Sequence, residues 1–157
     1  MSFRKSVSAI AIASAVLLGT TGCGFAQQVE SLKMYTPSDG SQIDLGDVKA
    51  RNFVYLVGST KNLLVGSLIN SGLSDATVKI SYLDASGKTV TQSFDLASDA
   101  KVDLGYNGQP GIAMDLEAAP GSMISIYVET ATAGSNELLV PALNGDLAEW
   151  AEIVNSL

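Results

Sequence analysis

The segment TVKISYLDASGKTVTQSFDL, residues 77–96, carries the clearest structural signal in the chain. Val78, Ile80 and Tyr82 alternate with polar residues, which is the period of a strand buried on one face. The run Asp84-Ala85-Ser86-Gly87 is typical of a turn, and a second run with strand-forming residues follows at Thr89–Leu96. The segment therefore predicts a β-hairpin.

Short apolar stretches separated by turn residues continue on both sides of this hairpin, which is typical of an all-β sandwich or barrel. We therefore expect an immunoglobulin-like or cupredoxin-like β-sandwich of about seven strands. The other predicted strands are Val48–Val57, Asn62–Asn70, Lys101–Leu104, Ile112–Leu116, Met123–Glu129 and Glu137–Leu143.

Two features near the C-terminus depart from this pattern. Pro141 cannot donate a backbone hydrogen bond, so the strand that holds it is expected at a sheet edge, or the proline at a strand end. In residues 146–157, Asp146 and Glu149 have the spacing of a capping box, and apolar residues recur at helical intervals. This segment is either a short C-terminal helix or an extended tail that packs Trp150 onto the sandwich.

The first 22 residues have the features of an export signal. Arg4 and Lys5 precede an apolar run, Val7–Leu18, that is too short for a comfortable membrane span. Small residues then lead to Cys23, an arrangement that resembles a lipobox, with Thr20 where leucine is usual. We expect cleavage before Cys23 and lipid attachment to it; the alternative is ordinary secretion with cleavage after Ala26.

These features divide the chain into three predicted parts: a lipoprotein signal peptide at 1–22, a lipid-anchored tether at 23–45, and a β-sandwich domain at 46–157. The whole chain carries a formal charge of −7. Without residues 1–22, which contain Arg4 and Lys5 but no acidic residue, the charge is about −9. A surface this acidic disfavours nucleic acid, since binding to it depends on cations that neutralise phosphates.

The composition limits catalysis and metal binding. The chain has one cysteine and no histidine, so it lacks the commonest general base and the commonest transition-metal ligand. Met34, Met114 and Met123 could offer thioethers to Cu(I), but isolated methionines without histidine or cysteine are typical of core packing. We therefore predict no metal site, no cofactor and no catalytic residue.

Other motifs have structural explanations. Asp103–Gly108 mixes oxygen ligands with glycine, as calcium loops do, but Met114 stands where an EF-hand requires glutamate. Asp39, Asp44 and Asp47 are a further calcium candidate. Residues 98–101 match S-x-x-K in letters, but they lie in a predicted turn rather than on the helix that serine–lysine enzymes use.

The aromatic side chains provide a candidate docking surface. Aromatic residues serve equally well in cores and at interfaces, so the sequence does not choose between the two roles. The candidates are Tyr35, Tyr55, Tyr106, Tyr127 and Trp150.

Several motifs resemble an actinobacterial family of cell-envelope lipoproteins that includes mycobacterial LpqE. They are TTGC at the end of the signal, YTPSDG at 35–40, GDVKARN at 46–52, the LLVGSLIN strand and LLVPALNGDL at 138–147. The resemblance implies an accessory role beside a membrane complex. The expected fold also resembles periplasmic copper chaperones, which bind Cu(I) through His and Met, although this sequence lacks the histidines.

Together these observations predict a non-enzymatic lipoprotein anchored to the outer face of the cytoplasmic membrane. Its expected partners are the membrane, through the N-terminal lipid, and another membrane or exported protein. The alternative is a small-ligand or metal-binding domain of the copper-chaperone kind.

Overall fold

The computed structural model describes residues 38–155. Cys23, the predicted signal peptide at 1–22, Met34 and Tyr35 lie outside it. Within the described range the chain forms nine strands and one helix: β1 Ser41–Leu45, β2 Val48–Val57, β3 Asn62–Asn70, β4 Ala76–Leu83, β5 Thr89–Leu96, β6 Ala100–Leu104, β7 Ile112–Ala113, β8 Met123–Thr130, β9 Gly134–Asn144 and α1 Ala148–Asn155.

The strands form a curled β-sandwich in which one strand serves both layers. The hairpin sheet has the order β5-β4-β8-β9, and every pairing in it is antiparallel. The helix-covered sheet has the order β9-β2-β3-β6, with β1 added to β2 and β7 added to β3. The N-terminal part of β9 pairs with β8, while Ala142–Asn144 pair in parallel with Tyr55–Val57 of β2. The predicted all-β sandwich is confirmed.

The main core lies between the two sheets and follows the predicted alternation. Val78, Ile80 and Tyr82 of β4 are buried, as are Ile124 and Ile126 of β8. Each strand of the hairpin sheet therefore has one face in the core and one face in solvent, as is common for antiparallel sheets. The predicted hairpin at 77–96 is confirmed, with Val78 opposite Phe94 and Leu83 opposite Thr89.

The helix-covered sheet is buried on both faces. The consecutive residues Phe53–Leu56 of β2 and Leu63–Val65 of β3 are all 0% exposed. One set of side chains faces the main core, and the other forms a second cluster with Val154 of α1. This double burial explains why β2 and β3 are continuous apolar runs rather than alternating strands.

A bulge in β2 changes the register between β2 and β3 just before the apolar run of β2. The register of β2 against β3 shifts between Arg51 and Val54, and Asn52 has a positive φ of 52°. The Asn52 side chain accepts a hydrogen bond from the Gly40 amide at 3.1 Å and donates one to the Tyr106 hydroxyl at 3.2 Å. Asparagine tolerates this left-handed conformation better than most residues.

Three boundary predictions require correction. Among the described residues the sheet begins with β1 at Ser41, inside the predicted 23–45 tether, because this polar segment pairs with β2, for example Ile43 with Ala50 and Leu45 with Val48. Pro141 lies inside β9, away from a sheet edge; it is the last residue opposite β8, where a missing amide hydrogen is tolerated as the strand changes partners. The predicted strand at Ile112–Leu116 is only two residues long.

The C-terminal segment is helical over Ala148–Asn155, which confirms the predicted short helix. Just before the helix, the Asp146 Oδ1 accepts a hydrogen bond from the Ser59 amide at 3.0 Å. This contact connects the start of α1 to the β2–β3 turn. Between residues 38 and 155 there is no helix long and apolar enough to cross a membrane.

Candidate functional site

The solvent face of the hairpin sheet carries four large apolar side chains. Leu83 is 54% exposed, Met123 55%, Tyr127 42% and Leu139 53%. We call these four residues the outer patch. The outer face of a one-sided antiparallel sheet is normally polar, and a group of exposed apolar residues commonly marks an interaction site.

The strand register makes the outer patch contiguous. Leu139 of β9 lies opposite Ser125 of β8, between the exposed Met123 and Tyr127 on the same face. Leu139 is therefore a diagonal neighbour of both Met123 and Tyr127, at roughly 7–8 Å, a distance that long and aromatic side chains can span. Leu83 lies on the same face at the end of β4, the strand that pairs with β8 on its other side.

A pocket of about 350 Å³ opens beside the outer patch. Leu83, Met123 and Tyr127 form one wall, and the segment Leu116–Ala118 forms the other. Most of the lining is apolar, and the pocket is large enough for a bulky apolar side chain.

The second wall is held in place by hydrogen bonds from the core. The Tyr55 hydroxyl donates to the Leu116 carbonyl, and the Asn62 side-chain amide donates to the same oxygen at 3.1 Å. The turn that follows is fixed by a 2.7 Å bond from the Gly121 amide to the Ala142 carbonyl of β9. The pocket is therefore formed before any ligand binds.

Tyr55 retains its donor proton over a wide pH range. Burial raises the pKa of the Tyr55 phenol from 10.0 to about 12, and the nearby Asp115 carboxylate acts in the same direction. The hydrogen bond to Leu116 is therefore preserved at any physiological pH.

The surroundings of the pocket are acidic. Glu117 lines the pocket and is exposed, and Asp115 is exposed two residues earlier. Glu137, opposite Tyr127, accepts a hydrogen bond from the Ser125 hydroxyl. On the same sheet face, Lys79 is paired with Glu129 at 3.2 Å, toward the far end of β8 from Met123.

The predicted aromatic candidates separate into two groups. Tyr55 is buried, and Tyr106 and Trp150 are half-buried in or beside the helix-covered sheet, so of the described candidates only Tyr127 lies on an exposed apolar surface. The other members of the outer patch were not singled out from the sequence. The signal was available, because the alternation that turns Ile80 and Ile126 inward turns Leu83 and Tyr127 outward.

Another exposed leucine lies at the opposite end of the hairpin sheet. Leu73, in the β3–β4 loop, is 98% exposed. The buried Asn70 holds this loop: its side-chain amide donates to the Ser74 carbonyl at 2.8 Å, and its oxygen accepts from the Gly72 amide at 3.0 Å. Because β4 separates this loop from Leu83, the two sites are roughly 23 Å apart or more.

The predicted metal candidates do not come together. Met114 is buried in the main core, whereas Met123 is exposed on the outer patch. Over residues 38–155, no group of three or more His, Cys, Asp or Glu side chains is placed to hold a metal ion.

Two of the acidic calcium candidates, Asp103 and Asp44, have other partners. Asp103 accepts hydrogen bonds from Ser67 at 2.6 Å and Asn107 at 2.7 Å, and pairs with Lys101 at 2.8 Å. Burial works to raise the pKa of Asp103, but these hydrogen bonds hold it below its ordinary value. Asp44 pairs with Arg51.

The S-x-x-K letters lie on a turn and a strand, as predicted. Ser98 is in the β5–β6 turn, where its amide donates to the Asp75 carboxylate at 3.0 Å, and Lys101 is in β6. This is not the helical arrangement that serine–lysine catalysis uses.

Comparisons with known proteins bear on the fold. No protein-family model matches the chain, and no curated protein matches it. Among solved structures, the chain is similar to the apo PCuAC domain of PmoF2, with a TM-score of 0.52 and 13% identity over 67% of this chain and 96% of that one. The copper-bound PCuAC domain of PmoF2 gives a TM-score of 0.49 at 14% identity, covering 66% and 97% of the two chains. The apo PCuAC domain of PmoF1 gives 0.47 at 12%, covering 66% and 98%.

This likeness shows the fold and extends no further, because identity is low. It agrees with the expected resemblance to copper chaperones. The described residues do not supply a matching donor set, since the sequence has no histidine and Met114 and Met123 lie in different environments.

Proposed function

We propose that the chain is a non-enzymatic envelope lipoprotein, anchored to the membrane through Cys23, that docks onto another membrane or exported protein through the outer patch. The observation that carries this proposal is the group of four exposed apolar side chains beside a preformed pocket. The motifs that resemble those of actinobacterial envelope lipoproteins support the same role.

The preformed pocket favours docking because little has to be ordered on binding. The wall at Leu116 is held by Tyr55 and Asn62, and the opposite wall is a regular strand. Fixing a surface in its bound conformation before binding removes part of the conformational-entropy cost of association. A bulky partner side chain that fills such a pocket is the typical centre of an interface.

Docking can be tested in living cells with a photo-crosslinking amino acid at Tyr127. We expect a discrete crosslinked product that contains this chain and one other envelope protein. The matched control places the same amino acid at Leu73, which is more exposed but lies at the other end of the sheet. Identical products from both positions, or no product from Tyr127, would contradict docking through the outer patch.

Anchoring requires a separate test. Mass spectrometry of the native protein, extracted from membranes, should find a diacylglycerol-modified Cys23 as the first residue. The Cys23→Ala variant should lose this modification. Recovery of unmodified protein that begins at Gln27, or that keeps Met1, would contradict the anchor.

The fold likeness also favours a second candidate function, the binding of Cu(I) or a small ligand. The available donors argue against copper, because a Cu(I) site normally needs several soft ligands close together. We expect titration of the full-length protein with Cu(I), in competition with a chromogenic chelator, to show no uptake. Uptake that Met114→Leu or Met123→Leu abolishes would establish the copper function instead.

A further inference from the structure

The charge around the outer patch restricts what can occupy it. Glu117 and Asp115 lie on the pocket side, and Glu137 lies on the β9 side. Lys88, near Leu83 in the β4–β5 turn, lies close to Asp84, whose pKa is lowered by hydrogen bonds to Ser86 and Lys88 and by the Lys88 charge. The apolar centre therefore has a rim with an excess of negative charge.

Two possible occupants are disfavoured by this rim. A second copy of the chain would bring Glu117 and Glu137 of one molecule toward the same carboxylates of the other, and like charges at an interface are costly. An anionic lipid surface would meet the same repulsion.

The occupant that fits is a protein segment with apolar and basic character together. We infer that the outer patch receives an exposed segment of another envelope protein in which a bulky apolar side chain stands next to Lys or Arg. The apolar side chain enters the pocket between Tyr127 and Ala118, and the basic group reaches Glu117 or Glu137. This inference rests on the proposed docking function and adds the chemistry of the partner.

The two parts of the recognition have separate physical roles. Burial of the apolar side chain against Leu83, Met123 and Tyr127 supplies most of the affinity. The rim charges stay partly hydrated, so they act mainly on the rate of encounter and on the choice of partner. The association should therefore weaken as salt rises, since exposed charges are screened.

The test combines crosslinking at Tyr127 in cells with charge reversal in the full-length chain. The reversed variant is Glu117→Lys with Glu137→Lys. The matched control is Glu152→Lys, which changes an exposed glutamate on α1, outside the hairpin sheet. Surface substitutions of this kind usually change stability little. Thermal unfolding of each variant checks that the fold is retained.

The expected result has two parts. The crosslinked peptide of the partner should contain Lys or Arg beside the crosslinked position. The yield should fall about tenfold in the doubly reversed variant and remain unchanged in the Glu152→Lys control.

Other outcomes separate the inference from the function on which it rests. Capture of a partner that is unaffected by the double reversal would overturn the charge inference and leave docking intact. Crosslinking to a second copy of the chain or to lipid would overturn both. No product at all would overturn docking itself.

Discussion

At the scale of single residues, Tyr55 connects the main core to the wall of the pocket. Its ring is 0% exposed, and its hydroxyl reaches the Leu116 carbonyl, 61 residues further along the chain. Asn62 donates to the same carbonyl, so that oxygen keeps one partner when Tyr55 is changed.

We expect Tyr55→Phe to reduce the free energy of unfolding by about 1 kcal/mol at pH 7, the net value of one hydrogen bond. The wild type should also lose stability between pH 10 and 12. The unfolded Tyr55 phenol ionises near 10.0 while the folded one ionises near 12, so the unfolded state binds fewer protons in that window. Urea unfolding at pH 7 and pH 11 measures both effects.

The control for this prediction is Tyr127→Phe, which removes an exposed hydroxyl from the outer patch. It should leave stability unchanged at both pH values. If Tyr55→Phe loses as much stability between pH 7 and pH 11 as the wild type, the alkaline effect belongs to other groups.

Asn70 is the second residue with an unusual environment. It is one of two polar side chains buried among the described residues, and besides Ser74 it donates to the Ala97 carbonyl at 3.0 Å. Asn70→Ala should cost about 2 kcal/mol, because it removes several hydrogen bonds between a buried side chain and backbone groups. Denaturant unfolding measures the loss, and Asn136→Ala, which removes exposed hydrogen bonds to Ala133 and Gly134, should cost clearly less. Equal losses of stability in the two variants would show that the hydrogen bonds of Asn70 contribute no more than the exposed ones of Asn136.

At the scale of elements, α1 completes the burial of the helix-covered sheet. Val154 is 2% exposed and packs closely on two glycines: a Cβ added to Gly58 would lie 2.7 Å from Val154, and one added to Gly145 would lie 2.9 Å from it. The helix can approach the sheet this closely because neither glycine has a side chain.

Val154→Asp should therefore detach α1. An unpaired carboxylate in this cluster is unfavourable, and we expect a loss of about 3 kcal/mol. Trp150, which packs against the same cluster, should show red-shifted fluorescence. The control is Glu152→Ala, on the exposed side of the helix, which should leave both stability and fluorescence unchanged. An unshifted Trp150 fluorescence in Val154→Asp would contradict the role of Val154 in holding the helix on the sheet.

The predictability of each element depends on its local signal. β4 and β5 were predictable from alternation and a turn, and β2 and β3 from long apolar runs. The role of β1 was not predictable, because its polar residues form a strand only through pairing with β2. The position of β9 was predicted wrongly from Pro141, which suggested a sheet edge. A change of partner within one strand leaves no signal in the local sequence.

At the scale of the whole molecule, β9 makes the two sheets interdependent. Its first part is the neighbour of β8 and its last three residues are the neighbours of β2, so neither sheet is complete without it. We expect one cooperative unfolding transition. Trp150 fluorescence, which reports on the helix-covered sheet, and far-UV circular dichroism, which reports on both sheets, should give the same denaturant midpoint. Separate midpoints would mean that the sheets unfold independently.

The candidate site was only partly predictable at this scale. Tyr127 was identified as a docking candidate, and alternation could have added Leu83 and Met123. The pocket was not predictable, because its second wall at Leu116–Ala118 is positioned by Tyr55 and Asn62 from distant parts of the chain.

The position of β9 late in the chain also has a consequence for biogenesis. When the chain is made from its N-terminus, β1–β8 emerge before β9, the strand that joins the two sheets. A stable sandwich therefore cannot form until residues 134–144 have emerged. Folding that waits for late residues depends on contacts between distant parts of the sequence and is slow. For a protein that we propose to be an exported lipoprotein, late completion of the sandwich would favour an unfolded chain during export.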